Sequence, residues 1–211
     1  MGQKRETFDG VISGAVYDWV ARFTGYGSKF YKRAAMSIPV RPGMTLLELG
    51  CGTASLSLAI AHRMNGRGRI IGVDKSARQL ERAKEKILSS PVSIELRNAS
   101  ARALPFEDAA LDGICMCQVL HALPDDVRAD VLGESSRVLK NGGFFALVDW
   151  SRPRLGYAAA VWGPSLLGSR HTHNWQGAYP TVFEPFGFDL STDVYLDSLN
   201  RCQVFVKTFA P

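Results

Sequence analysis

The chain has 211 residues, 46% of them hydrophobic and 21% charged, with a net charge of +5. That is an ordinary globular composition, long enough for one good core rather than two. The positive charge is mild, and no Lys/Arg block or basic–aromatic interleaving marks a nucleic-acid surface. The four cysteines, Cys51, Cys115, Cys117 and Cys202, form no CxxC pair and no zinc spacing. They read as reduced, buried thiols of a cytoplasmic protein. The opening MGQKRETFDG lacks an apolar signal core, and Glu6 stands where a myristoylation signal wants Ser or Thr. No stretch approaches the roughly 20 apolar residues of a membrane span.

Residues 1–42 read as a helical cap, with Val16, Trp19, Val20 and Phe23 on one face. TLLELG (45–50) is a buried strand and 54–64 a helix. RIIGVD (69–74) is a second strand. Ser76 then caps a helix, with Gln79 three residues on completing a capping box. Leu80, Ala83 and Ile87 follow at helical spacing. VSIELR (92–97) is a third strand, and ALDGICMCQVL (110–120) contains a fourth. Pro124 and Asp125 start a helix running to about Leu139, with Asn141-Gly142-Gly143 as its stop. FFALVDW (144–150) is a fifth strand. Strands alternating with helices predict a doubly wound, parallel α/β sheet covered on both faces. Beyond 150 the pattern changes. FDLSTDVYL and CQVFVKTF, joined by DSLNR, predict an antiparallel pair. A single domain is expected, with 43–150 as a ligand-binding core and 151–211 as a lid and last strands.

In open parallel sheets the ligand lies outside the carboxyl ends of the strands. The first strand ends in LLELGCGTA (46–54), where Gly50 and Gly52 let a ligand approach bare backbone. The second ends at Asp74, roughly 20 residues on, placed to bond ribose hydroxyls. Both features suit NAD and S-adenosylmethionine alike. A dinucleotide loop wants a third glycine where this chain has Ser55, and Glu48 would repel a pyrophosphate. A ligand bearing an ammonium and a sulfonium suits Glu48. The favoured cofactor is therefore S-adenosylmethionine, although Glu48 can also pin the loop through backbone N–H groups.

These stretches resemble the class I S-adenosylmethionine-dependent methyltransferases. LLELGCGTA resembles their first motif, and VDKSARQLERAKEK their second-strand acid and following helix. RALPFEDAALDGICMCQVLHALPD and RVLKNGGFFALVDW resemble the fourth- and fifth-strand regions. The likeness is greatest to the branch of ubiquinone/menaquinone C-methyltransferases and phospholipid N-methyltransferases. It implies a Rossmann-like sheet of seven strands with the last antiparallel. It also implies that Glu48, Gly50, Cys51 and Gly52 contact the methionine end, Asp74 the ribose and Lys75 the adenine. Gln118 follows the fourth strand at the same site. Where the family usually has an acid facing the adenine amino group, this chain has Ser100, followed by Ala101 with its backbone N–H; Asn98 is a partial substitute. Tyr17-Asp18 matches a pair on the helix that closes over the cofactor, and Tyr17, Tyr26 and Tyr31 are candidates to cover the sulfonium.

Methyl transfer from a sulfonium is an in-line displacement of an activated group, so positioning and water exclusion dominate. His121 is the candidate base for the acceptor's proton, set against packing or capping in the turn before Pro124. Asp149 and Trp150 end the fifth strand and either face the pocket or pin a loop. His171 and His173 lack a third ligand, so no metal is expected. LGYAAAVWGPSLLG (155–168), flanked by Arg152, Arg154 and Arg170, reads as core covering a sheet edge over most of its length. A lid over a hydrophobic acceptor, or a membrane contact, is its other reading. The acceptor is expected to be a small or lipid-like molecule. A non-catalytic cofactor binder, or an enzyme acting on a polar metabolite or protein, is the alternative. Ser100→Asp restores a charge-assisted acceptor and should leave S-adenosylmethionine affinity unchanged or improved by calorimetry; a large loss would mean that the adenine lies elsewhere.

Overall fold

The computed structural model describes residues 26–166 and 179–208, with the backbone alone for 162–166. Val16, Tyr17, Asp18, Trp19, Val20, Phe23, Arg170, His171 and His173 lie outside the described residues. The elements are α1 (Ser28–Ser37), β1 (Thr45–Leu49), α2 (Ser55–Ala61), β2 (Arg69–Asp74), α3 (Ala77–Ile87) and β3 (Ser93–Asn98). They continue as β4 (Leu111–Cys117), α4 (Asp125–Val138), β5 (Leu139–Trp150), α5 (Tyr157–Leu166), α6 (Tyr179–Phe183), β6 (Phe188–Tyr195) and β7 (Asn200–Lys207).

The seven strands form one sheet in the order β3-β2-β1-β4-β5-β7-β6. The first five are parallel, and β7 enters antiparallel between β5 and β6. Strand order reverses between β1 and β4, which makes that crevice the switch point of the fold. Side chains alternate across the sheet as strand geometry requires. Leu46, Ile70, Cys115 and Ala146 pack with α1 and α2, including Phe30 and Ile60. Leu47, Ile71, Ile114 and Phe145 pack on the other face with Val127, Val131 and Phe183 of α4 and α6. Burial on both faces accounts for apolar runs without alternation.

Two expectations change. The helix before β5 ends at Val138, and Leu139 already pairs with Leu111. Asn141-Gly142-Gly143 is therefore an irregular stretch inside the strand, between the Leu139–Leu111 and Phe144–Gly113 pairs, and not the helix stop. Gly142 takes a positive φ of 73° there. The second change concerns 155–161. Leu155 is 106% exposed and Tyr157 65%, so most of this stretch faces outward. Only Ala158 is buried, against Leu199 and the half-buried Trp150.

The ring of Phe144 lies across its register partner Gly113, and any Cβ at 113 would collide with it. Gly113→Ala should cost about 1–3 kcal/mol by urea unfolding, the usual range for overpacking a fitted core; an unchanged midpoint would show that the Phe144 ring yields freely.

Candidate functional site

The turn after β1 is built from left-handed residues. Gly50, Gly52 and Ala54 have φ of 68°, 52° and 59°. Its backbone donors are spoken for on the sheet side. The N–H groups of Gly50 and Cys51 both point to the Val73 carbonyl, at 2.8 and 3.1 Å. The two glycines do different work. A Cβ on Gly50 would strike Val119, whereas one on Gly52 would meet nothing within 4 Å. Among the described residues, open space therefore lies over Gly52. Cys51 turns its thiol inward against Gly72, so its backbone is what borders that space.

Asp74 joins this turn to the next. One carboxylate oxygen accepts from the Gly52 N–H and the other from the Ser76 N–H, both at 2.8 Å. Its backbone carbonyl takes a bond from the Asn98 amide at 2.9 Å. Ser76 caps α3 by accepting from the Gln79 N–H at 3.4 Å. The return bond of a capping box is replaced, because Asp74 already holds the Ser76 N–H. A carboxylate has about four lone-pair sites, so hydroxyls can still bind to Asp74. Lys75 stands between Asp74 and the cap.

Glu48 is 3% exposed and is aimed at α2. The N-cap of that helix is Ala54, whose methyl side chain cannot cap it. Glu48 supplies the cap from β1, accepting from the Ser57 hydroxyl and the Ser57 backbone N–H. The pinning reading of Glu48 is thus the geometry present. Burial pushes its carboxyl up to about 8, against the lowering from Ser57.

On the other side of the switch point, Gln118 follows β4 with φ of 57°. Its amide donates to Asn200 Oδ1 at 2.7 Å, and the Tyr26 hydroxyl donates to the same oxygen at 3.3 Å. Asn200 is oriented by giving its own amide hydrogens to Asp197. Trp150 Nε1–H donates to Tyr26 at 2.6 Å. Tyr26 is therefore buried in this network rather than spread over an open cavity.

His121 sits beside it. Its backbone N–H donates to Asp149 Oδ2 at 3.0 Å, and its Nδ1 lies 2.5 Å from Asp149 Oδ1. Trp150 N–H also donates to that carboxylate at 2.8 Å, and the Tyr179 hydroxyl bonds to it. The His121 ring stacks on Trp150 at 4.3 Å and 15°. Holding Nδ1–H on a buried carboxylate fixes the tautomer in which Nε2 is the basic nitrogen. His121 is both a turn-capping residue and an oriented imidazole.

The loop after β3 is less committed to the centre. The Ser100 hydroxyl accepts from the Arg102 N–H at 3.2 Å, a local turn. Ala101 packs partly on the α4 face of the sheet. Glu134 and Arg137 of α4 hold this loop, Glu134 taking the Leu104 N–H and Arg137 the Leu104 and Phe106 carbonyls. Sequence reading missed these anchors along with Asn200 and Tyr179. The four cysteines are free and their thiols are raised by burial, Cys202 to about 12, so they stay protonated.

Residues 46–143 match the family model described as "Methyltransferase domain". The chain is 33% identical over 194 residues to the demethylmenaquinone methyltransferase of Bacillus cereus (strain ATCC 10987 / NRS 248), covering 86% of this chain and 81% of that protein. Its identity to the protein of the same name from Desulfitobacterium hafniense (strain Y51) is also 33%, over 163 residues. That match covers 75% of this chain but 63% of the relative, so the chain spans under two thirds of its length. A solved SAM dependent methyltransferase from Aquifex aeolicus is similar with a TM-score of 0.69 and 17% identity, over 91% of this chain and 95% of that one. At that identity the likeness is one of fold.

The raised carboxyl of Glu48 sets a pH dependence. Below the ordinary carboxyl value both folded and unfolded chains hold the proton. Between that value and about 8 only the folded chain does, so wild-type stability falls as pH rises through this window. Glu48→Gln keeps an acceptor for Ser57 and carries no charge. Its unfolding free energy, read by urea titration, should match wild type near pH 4.5 and exceed it increasingly towards pH 8.5, by an amount on the order of a few kcal/mol. A constant difference across that range would show that Glu48 is ionised throughout.

Proposed function

The chain belongs to the S-adenosylmethionine-dependent methyltransferases, and on that premise we propose that it transfers a methyl group from S-adenosylmethionine to a small, lipid-like acceptor. The observation that carries the reading is the open space over Gly52, bordered by the Asp74 carboxylate already tied to that turn. A Cβ at 52 would fill the cradle, and the remaining lone pairs of Asp74 suit two ribose hydroxyls. Glu48 to Gly52 would face the methionine end. Lys75, Ser100 and Ala101 would border the adenine, and Gln118 the reacting end.

When bound, S-adenosylmethionine supplies a methyl group on a sulfonium that leaves as a neutral thioether. Glu48 offers a carboxyl that ionises more readily beside such a cation, giving up its proton on binding. His121 takes the acceptor's proton on Nε2 while Asp149 steadies the imidazolium. Trp150 covers one face of that ring and limits water there. The bond from sulfur to methyl would break as the bond to the acceptor forms, and the positive charge lost by the sulfonium would end as the proton on His121.

The lipid-like class is supported by two observations. The relatives at 33% identity are named demethylmenaquinone methyltransferases. The stretch after β5 also exposes Leu155 and Tyr157, while its Ala158 packs with Trp150. Four free cysteines fit work in the reducing cytoplasm.

The test uses methyl-labelled S-adenosylmethionine, pure protein and an extract of the source cells, followed by organic/aqueous partition. Label in the organic phase is the expected result. Label in water would transfer the reading to a polar metabolite or protein, and binding without transfer would leave a non-catalytic binder. His121→Ala should lower turnover about 10²–10⁴-fold with cofactor affinity nearly unchanged; near wild-type turnover would remove the base from the mechanism.

A further inference from the structure

The segment that follows β5 combines three properties seldom found together. First, it is apolar and exposed, with Leu155 at 106%, Tyr157 at 65% and Val161 at 36%. A soluble protein has little reason to set large apolar side chains side by side in water. Second, it is held rigidly. Gly156, with φ of 153°, packs so close to Ser198 that a Cβ would collide with that side chain. The Arg154 N–H donates to the Ser198 carbonyl at 2.7 Å, and the Ala159 N–H to the Ser198 hydroxyl at 3.0 Å. The β6–β7 turn thus fixes the first turn of α5, and the apolar side chains protrude from a fastened base.

Third, the charge around it is predominantly positive. The sequence contains no acid between Asp149 and Glu184, while Arg152 and Arg154 are exposed just before Leu155. Exposed Arg33 of α1 lines the same groove as Leu155, Tyr157 and Ala158. That groove also contains Asp197, whose carboxylate is occupied by the N–H groups of Leu199 and Asn200 and by the Asn200 amide. An apolar tip ringed by arginines matches the chemistry of an anionic lipid surface, where side chains enter the acyl boundary and cations meet headgroups.

We infer that Leu155, Tyr157 and Val161, ringed by Arg33, Arg152 and Arg154, form a docking surface for anionic lipid bilayers. The inference rests on the lipid-like acceptor proposed above and deepens it. Ala158, in the first turn of α5, packs with Leu199 on Trp150, which stacks on His121. The docked face and the candidate base are thus two contacts apart, so an acceptor dissolved in the bilayer would enter from the side at which the protein is seated.

The experiment is sedimentation of the full chain with vesicles of phosphatidylcholine, with and without phosphatidylserine, at low and high salt. Wild type should bind the anionic vesicles, release at high salt, and bind neutral ones weakly. Leu155→Glu should lower the partition coefficient about tenfold or more, and Arg152→Glu several-fold, with cofactor affinity and melting temperature unchanged. Both side chains are exposed, so neither change disturbs the fold. Equal binding to neutral and anionic vesicles, or undiminished binding by Leu155→Glu, would overturn the inference. So would a wild-type dimer that Leu155→Glu separates, since the occupant would then be a second copy. Vesicle binding with no label passing to the organic phase would strike the proposed acceptor and leave the docking surface standing.

Discussion

A carboxylate buried at the end of β5 governs the organisation of this site. Asp149 is 1% exposed, and a charge so far from water must be matched by donors. It collects the His121 N–H, the His121 ring, the Trp150 N–H and the Tyr179 hydroxyl. Those donors come from the turn after β4, from β5 itself and from α6. Satisfying one charge therefore fixes three elements against one another, and the imidazole is oriented as a by-product of that satisfaction. Losing any one donor would leave a buried charge short of a partner, which is why the turn after β4 is held by more than its own short 3-10 helix.

The three acids at the strand ends reach different solutions. Asp74 is held by two backbone N–H groups at the edge of the sheet and still has room for hydroxyls. Asp149 is enclosed by donors. Glu48, enclosed with only the Ser57 hydroxyl and N–H, has its carboxyl raised to about 8 by burial, and the nearby Asp74 adds to the rise. A neutral acid here costs the fold less than a buried anion would, and the proposed counter-charge to a methionine ammonium would be this same group without its proton.

Much of this was legible in the sequence. Uninterrupted apolar runs between helical patterns specify a sheet buried on both faces, and acids with glycines at the strand ends mark its ligand edge. What escaped was made by contacts distant in the chain. Asn200 lies 82 residues from Gln118, and no local pattern distinguishes it from a turn residue. Tyr179 reads as one more aromatic until α6 brings it to Asp149. Arg137 reads as a solvated helix cation until the loop after β3 wraps over it. Asn141-Gly142-Gly143 misleads in the opposite way, since glycine after a helix is ordinarily a stop. Here Leu139 pairs with Leu111 first, and the glycines relieve a register shift instead.

The glycine pair shows how one motif can conceal two physical demands. Both residues have positive φ, so conformation alone would explain both. Space separates them. At Gly50 the missing side chain lets Val119, from the turn after β4, close against the loop. At Gly52 nothing among the described residues comes within 4 Å of that position. Gly50 serves the fold, whereas Gly52 is the position that the proposed ligand would need bare, so only the second bears on where that ligand would lie. A side chain at 52 would leave the core intact while occupying the very space that Asp74 borders.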